Sequence, residues 1–435
     1  MTAADRTPKA GSKSKLASWF YWHSAFGAVF GLMMFLICWS GIFATLGREI
    51  DWLLTPSLRV APTGPTVSWG RLQEAARRHA PKGVVVQIDA PEMAGFAAIA
   101  VVELDEGQLL RVHIDPHTGD VRGTGPLFGV WRFFRSLHAN LFGFFAWGRY
   151  VVGILGVALL ALSITALVFW KRWWRRFFDV RAPRPPVGLW SPVHKLAGVW
   201  GLWFALLMGV TGTWYLIDIA RFHYVDGRAS MTPAPRLAKS GGGEPSLPLD
   251  TLVERVRAAR PDVVLSQIRF GNGEAPDYFE GHAGYTLVRG RANHVYVDPR
   301  EGSILAVQHG SDLTAYWRIA ETMDPLHFGD FAGLTSRLVW SVFGLVLSAS
   351  ALSGAILMAR SARQRGGRPR AAGRSVRWAG LILGLAVIAV AAEGGWAEYV
   401  DFSRAAPVPS GVYVVIVGWI AVTAAATAFW FYELR

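Results

Sequence analysis

Residues 23–27 read HSAFG and residues 40–41 read SG, while residues 194–198 read HKLAG and residues 211–212 read TG. In both places a histidine is followed by glycine four positions on, then by a small hydroxyl residue and glycine at +17 and +18. Each block lies in an apolar stretch, so two membrane helices share one plan and the chain contains an internal duplication. The stretches that follow repeat as well. Leu137-His138 precedes Arg149, Gly156 and Thr165, and Leu326-His327 precedes Arg337, Gly344 and Ser353, with equal spacings from the arginine onward. The interval from histidine to arginine is 11 in one case and 10 in the other, a slip that a loop absorbs.

Working outward from these blocks, the chain of 435 residues is 52% hydrophobic and 17% charged, a balance that points to lipid as solvent for much of it. A spanning helix needs about 20 mostly apolar residues. Six such stretches are predicted, at 19–47, 134–170 with an outer helix ahead of the span, 191–219, 327–359, 378–397 and 411–435. The net charge of +13 is concentrated beside them. Lys9, Lys13 and Lys15 lie in the N-terminal segment 1–18, Lys171 to Arg184 in the loop 171–190, and seven arginines from Arg360 to Arg377 in the loop 360–377. The positive-inside rule makes these segments cytoplasmic, along with both termini, and turns 48–133, 220–326 and 398–410 outward. Basic runs that alternate with spans argue against a nucleic-acid surface. The first apolar stretch is too long for a signal peptide and lacks a small-residue cleavage pattern before Arg48-Glu49, so it reads as a helix. Cys38 is the sole cysteine, which excludes internal disulfides, cysteine-based metal sites and covalently attached haem.

The large outward segments repeat too. Each predicts a short amphipathic helix, Ser68 to Ala80 and Leu249 to Arg260, followed by strands. Each closes on Asp-Pro-x-x-Gly, at 115–119 and 298–302, where proline presets φ, aspartate bonds its own backbone and glycine supplies positive φ. Two small α+β domains are expected, the second entered through a Ser/Gly-rich linker from Lys239 to Pro245.

Over roughly residues 18–360, the His-x3-Gly helix starts, the Leu-His pairs and the two Val-x-Val/Ile-Asp-Pro-x-x-Gly endings resemble the PepSY-associated transmembrane family. That family contains iron-regulated inner-membrane proteins and haem-containing ferrisiderophore reductases. The resemblance implies a bacterial inner-membrane location, two PepSY-like outward domains and a ferric siderophore as substrate. It says nothing of the last two spans.

Topology then sets the depth of each histidine. His23 and His194 begin outward-running helices at the cytoplasmic face, while His138 and His327 precede inward-running ones near the outer face. An imidazole in or near lipid is costly unless it is bonded or coordinating. Two at one depth on facing helices suit the axial positions of a haem iron, so two haems of b type are expected, His23 with His194 and His138 with His327. One isolated histidine would be read as an interfacial residue bonded to a carbonyl; recurrence at equivalent places favours ligation. Gly27 and Gly198, one turn along, either admit a flat macrocycle or allow close helix packing. Arg149 and Arg337 either pair with haem propionates or snorkel to the interface. Ser40, Thr165, Thr211 and Ser353 read as helix-packing residues, and the remaining histidines as surface or strand residues, with His223 a weak candidate for a substrate or spare haem contact.

These features predict a wire across the membrane, and the family resemblance implies an enzymatic ferric reductase at its outer end. There is no dinucleotide fingerprint, so the donor must come from outside, as quinol or a partner reductase. Two other classes stay open: a PepSY-type binding or regulatory protein, and an iron or siderophore carrier. The spans hold few buried carboxylates for a carrier, and four matched histidines have no purpose in a pure binding module.

Overall fold

The computed structural model describes residues 10–143, 147–170, 190–226, 247–272, 275–284, 287–364 and 371–434. The linker from Lys239 to Pro245 and the basic residues Lys9, Lys171 to Arg184, Arg365, Arg368 and Arg370 lie outside them.

Twelve α-helices and eight strands are described. In chain order, α1 (Ala10–Thr45) and α2 (Gly47–Leu54) lead to α3 (Trp69–His79) and strands β1 (Val84–Asp89), β2 (Ala98–Glu103), β3 (Leu109–Ile114) and β4 (Val121–Pro126). Then come α4 (Val130–Asn140), α5 (Gly148–Phe169), α6 (Trp190–Trp200) and α7 (Leu202–Arg221). Next in the chain are α8 (Leu249–Ala259), β5 (Val264–Arg269), β6 (Asp277–His282), β7 (His294–Val297) and β8 (Ile304–Gln308). Finally come α9 (Ala315–Phe328), α10 (Gly333–Gln364), α11 (Ala371–Phe402) and α12 (Ser410–Leu434). Five stretches are long and apolar enough to cross a membrane: Gly148–Val168, Leu202–Val225, Gly333–Met358, Leu381–Phe402 and Ser410–Tyr432. Within α1, Ser18–Gly27 and Val29–Thr45 meet at a bend of 55° and together make a sixth. The third predicted span is also interrupted. Gly201 separates α6 from α7, so His194 stands on its own short helix ahead of the crossing segment.

Small residues set the helix contacts. A side chain at Gly156 on α5 would lie 2.6 Å from the backbone of Gly212 on α7, and one at Gly209 would lie 2.9 Å from the backbone of Leu160. On the other side of the bundle, α10 approaches α1 through Gly344 against Ile42 and Ala355 against Gly31. Without a hydrophobic driving force in lipid, such close backbone contact is what binds helices together.

The two segments between the spans, 48–133 and 220–326, are not separate domains, as their sequence suggests, but contribute to one continuous antiparallel sheet in the order β4-β3-β2-β1-β5-β6-β7-β8. The join is β1 against β5, with Gln87 opposite Arg269, Ile88 opposite Ile268 and Asp89 opposite Gln267. Ile88 and Ile268 occupy equivalent places in the two repeats, so a local two-fold axis passes between them. Each half would otherwise expose β1 or β5 as a bare edge, and pairing the two edges satisfies both rows of backbone groups. Both isoleucines are fully buried under α3 and α8. The two closing turns are alike in detail. Gly119 at φ 78° and Gly302 at φ 66° donate N–H to the carbonyls of Asp115 and Asp298 at 2.8 Å, and each aspartate side chain accepts the N–H two residues on.

A buried acid in the sheet gives a pH prediction. Asp277, 1% exposed, accepts the Gly271 N–H at 3.0 Å. Burial pushes its carboxyl up to about 6, with the charge of Asp298 acting the same way and the Gly271 bond opposing it. A folded-state value above the unfolded one means the folded sheet prefers the protonated acid, so its stability falls as pH rises from about 4 through about 6. Asp277→Asn keeps the acceptor and removes the charge. At pH 8 it should stabilise the sheet by about 3 kcal/mol at most. Hydrogen exchange of the β6 amides should show slower opening in the variant and loss of the pH dependence seen in the parent.

Candidate functional site

The sheet sits at the end of the bundle that carries α4 and α9. Asp51 on α2 accepts the first N–H groups of α4, from Val130 and Trp131, at 2.7 and 3.0 Å, which fixes the start of the helix that bears His138. Further along α4, Ser136 donates to Glu398 on α11 at 2.5 Å. On α9, the Leu326 carbonyl accepts from Trp340 of α10 at 2.9 Å and the helix stops at Gly329 with φ 67°, so His327 lies in a pinned final turn.

These supports bring the four histidines together in two pairs. The rings of His23 and His194 have centroids 6.4 Å apart, and those of His138 and His327 are 6.0 Å apart, with interplanar angles of 59° and 43°. Metal–imidazole bonds of about 2 Å, with each ring centre about 1 Å beyond its nitrogen, put two axial imidazoles about 6 Å apart across one ion. Both pairs have that separation.

The other ring nitrogen of each histidine is engaged, always by the partner helix of its own half. His23 Nδ1 is 3.1 Å from the Leu162 carbonyl and 3.1 Å from Thr165 Oγ1. His194 Nδ1 is 2.9 Å from the Ser350 carbonyl and 3.4 Å from Ser353 Oγ. His138 Nδ1 is 2.9 Å from the Ile37 carbonyl and 3.4 Å from Ser40 Oγ. His327 Nδ1 is 2.7 Å from Thr211 Oγ1. A carbonyl has no proton to give, so Nδ1 must carry the hydrogen in the first three. In the fourth, the Thr211 hydroxyl spends its own proton on the Leu207 carbonyl at 2.9 Å, so His327 again donates. With the hydrogen on Nδ1, each ring is the tautomer that carries its lone pair on Nε2, as a metal-binding histidine requires.

Ser40, Thr165, Thr211 and Ser353 are therefore partners of the histidines as well as helix-packing residues. Their signal was in the repeat: each lies at the end of its span opposite to that span's own histidine, at the depth of the histidine on the neighbouring helix. The glycines divide by use. A side chain at Gly41 would meet the His138 ring at 2.8 Å and one at Gly354 the His194 ring at 2.9 Å, so these two make room for the imidazoles. Among the described residues a side chain added at Gly27 would meet nothing within 4 Å, and one at Gly198 only Ser350 Oγ at 3.9 Å. Neither supports close helix packing; both leave open space beside the His23–His194 pair.

The two arginines, expected either at haem propionates or at the interface, have different surroundings. Arg337 donates to Glu49 at 2.7 Å and also pairs with Glu92, tying the start of α10 to α2 and the sheet, so two carboxylates already saturate its guanidinium. Arg149 is exposed at the start of α5. His223 meets the Tyr150 hydroxyl at 2.9 Å rather than either pair. His113 is buried against Ser57 Oγ at 2.8 Å, and burial together with Arg111 pushes it down to about 4, so it stays neutral and serves packing. Among the described residues no group of three or more His, Cys, Asp or Glu side chains is placed to hold a metal ion. The histidine pairs are the candidate centres.

Among known proteins, an uncharacterized protein of Pseudomonas aeruginosa is 40% identical over 80 residues, which is 18% of this chain and 19% of that relative. The match thus spans about a fifth of the relative's length. The pattern described as the PepSY-associated TM region fits residues 20–360, which take in both histidine pairs, the joined sheet and the first four spans. This chain, a membrane-spanning protein, belongs to the PepSY-associated TM region family.

Proposed function

We propose that the chain conducts electrons across a bacterial inner membrane by way of two bis-histidine haems of b type, and reduces a ferric siderophore or similar oxidant at its outward face. His23 and His194 would hold the inner haem, and His138 and His327 the outer one. An iron so held has no open coordination position and supplies one-electron transfer rather than oxygen activation. The observation that carries this reading is the meeting of four imidazoles in two pairs, at 6.4 and 6.0 Å, each with Nδ1 tied to the partner helix of its own half.

The chain's own part is to place and orient these rings at two depths. From His194 to the level of Thr211 is 17 residues, at most about 25 Å across the break at Gly201, a large part of a hydrocarbon layer. The basic segments beside the spans favour a cytoplasmic location for the His23–His194 end and for both termini, with the sheet outside. A ferric chelate would then meet the sheet and the outer pair, and one electron added to its iron weakens hard-oxygen chelation. The donor, a quinol or a cytoplasmic reductase, would act at the inner pair. An absorption spectrum of the purified protein tests this: a Soret band with reducible α-bands is expected, and a colourless, correctly inserted protein overturns it.

The hydroxyl partners give a graded prediction. Thr211 supplies the one hydrogen bond to His327 among the described residues, whereas His138 keeps the Ile37 carbonyl if Ser40 is lost. Thr211→Val is therefore expected to weaken retention of the outer haem about 10- to 100-fold, in line with other outer-shell partners of metal-bound histidine. Ser40→Ala should do much less. Haem transfer to apomyoglobin measures both.

A further inference from the structure

Of the arginines that crowd the sheet end of the bundle, nearly all are matched to carboxylates. Arg48 pairs with Glu92, Arg132 with Glu398, Arg289 with Asp324 and Asp330, Arg291 with Glu321 and Asp324, and Arg337 with Glu49 and Glu92. Arg135 has no carboxylate partner among the described residues. Its place is nonetheless set. It stands three residues before His138, on the same face of α4. Its guanidinium lies 5.4 Å from the ring centre of Trp131 and 5.8 Å from that of Phe328, the residue after His327. Arg289 lies over the same Phe328 ring at 5.3 Å; burial and then the like charge of Arg289 disfavour the charged form of Arg135, and the more distant carboxylate of Asp324, already paired with Arg289 and Arg291, only partly opposes them. An unmatched cation thus sits between two aromatic faces, at the outer edge of the paired imidazoles, next to another cation. An anion there would relieve the repulsion and use donors that now go unused.

We infer that Arg135 binds a carboxylate at the outer edge of the His138–His327 pair. This rests on the proposed haem reading, since the carboxylate comes either from the side of a haem held by that pair or from a soluble chelate docking beside it. The test uses the purified haem-loaded protein, with Arg135→Ala, Arg135→Lys and His138→Ala.

If the carboxylate belongs to the haem, Arg135→Ala should release the outer haem to apomyoglobin at least 10-fold faster. Arg135→Lys should restore part of the difference, and reconstitution with haem whose two carboxylates are methyl esters should abolish it. If the carboxylate belongs to a soluble ligand, haem release should match the parent. Calorimetry on the oxidised protein should then show ferric citrate binding weakened about 10-fold, with a neutral ferric tris-hydroxamate unaffected. Parent behaviour of Arg135→Ala in both arms, while His138→Ala loses the outer haem, would overturn the inference and leave the histidine reading standing. Retention of both haems by His138→Ala would overturn the histidine reading, and the role of Arg135 with it.

Discussion

Replacing any one of the four histidines by alanine is expected to cost half of the bound haem, and which half is the sharper result. His23→Ala and His194→Ala should lose one spectral component, and His138→Ala and His327→Ala the other. A double variant within a pair should lose no more than either single variant, because one missing ligand already opens the site. A double variant across pairs should be colourless. Each ring also fills a place between helices, so insertion and folding need a separate check. Hydrogen exchange of the β1 and β5 amides serves, since the sheet join at Ile88 and Ile268 lies outside the bundle. Haem content read by pyridine haemochrome decides. A variant in either pair that removes both components, with the sheet intact, would break the assignment of partners.

The second large effect comes from residues that touch no metal. Gly41→Val and Gly354→Val build side chains into space the imidazoles occupy, since even a Cβ would come within 2.8 Å of His138 and 2.9 Å of His194. A ring turned aside loses its Nδ1 bond and the aim of Nε2 together. Gly41→Val should abolish the outer haem and spare the inner; Gly354→Val should do the reverse. Gly418→Val on α12 serves as the control, because among the described residues nothing lies within 4 Å of a side chain added there. The readout is again the component lost from the reduced spectrum. If both glycine variants bind like the parent, the ring positions are wrong.

Much of this was legible because the sequence says it twice. A lone His23 would have stood as an interfacial residue; its recurrence as His194, with glycine and hydroxyl at matching offsets, is what singled it out. Spans and closing turns are local events, set by long apolar runs and by Asp-Pro-x-x-Gly, and local chemistry is what a sequence displays. The sheet join was not legible, because strands ending in Gln87-Ile88-Asp89 and Gln267-Ile268-Arg269 look like any half-buried strands, and nothing near them announces their partner. The hydroxyls were read short of their role for a related reason. Serine and threonine in membrane helices commonly bond back to their own carbonyls, as Ser40 and Ser353 do here, and a partner histidine about 100 residues or more away leaves no local trace. The ion pairs of Arg337 were not legible for the same reason, since the acids that hold it, Glu49 and Glu92, lie far off in the chain.

The way the imidazoles are shared has a consequence for assembly. Every ring is tethered by its own half, His23 and His138 within residues 10–170 and His194 and His327 within residues 190–364, yet each pair takes one ring from either half. Neither piece owns a complete centre. Severed from its twin, a half would be ligand-poor at both membrane faces, and would have to find a second copy of itself before it gripped anything. Joining the two in one polypeptide makes that encounter intramolecular, so the centres form at a rate independent of how many molecules the membrane holds.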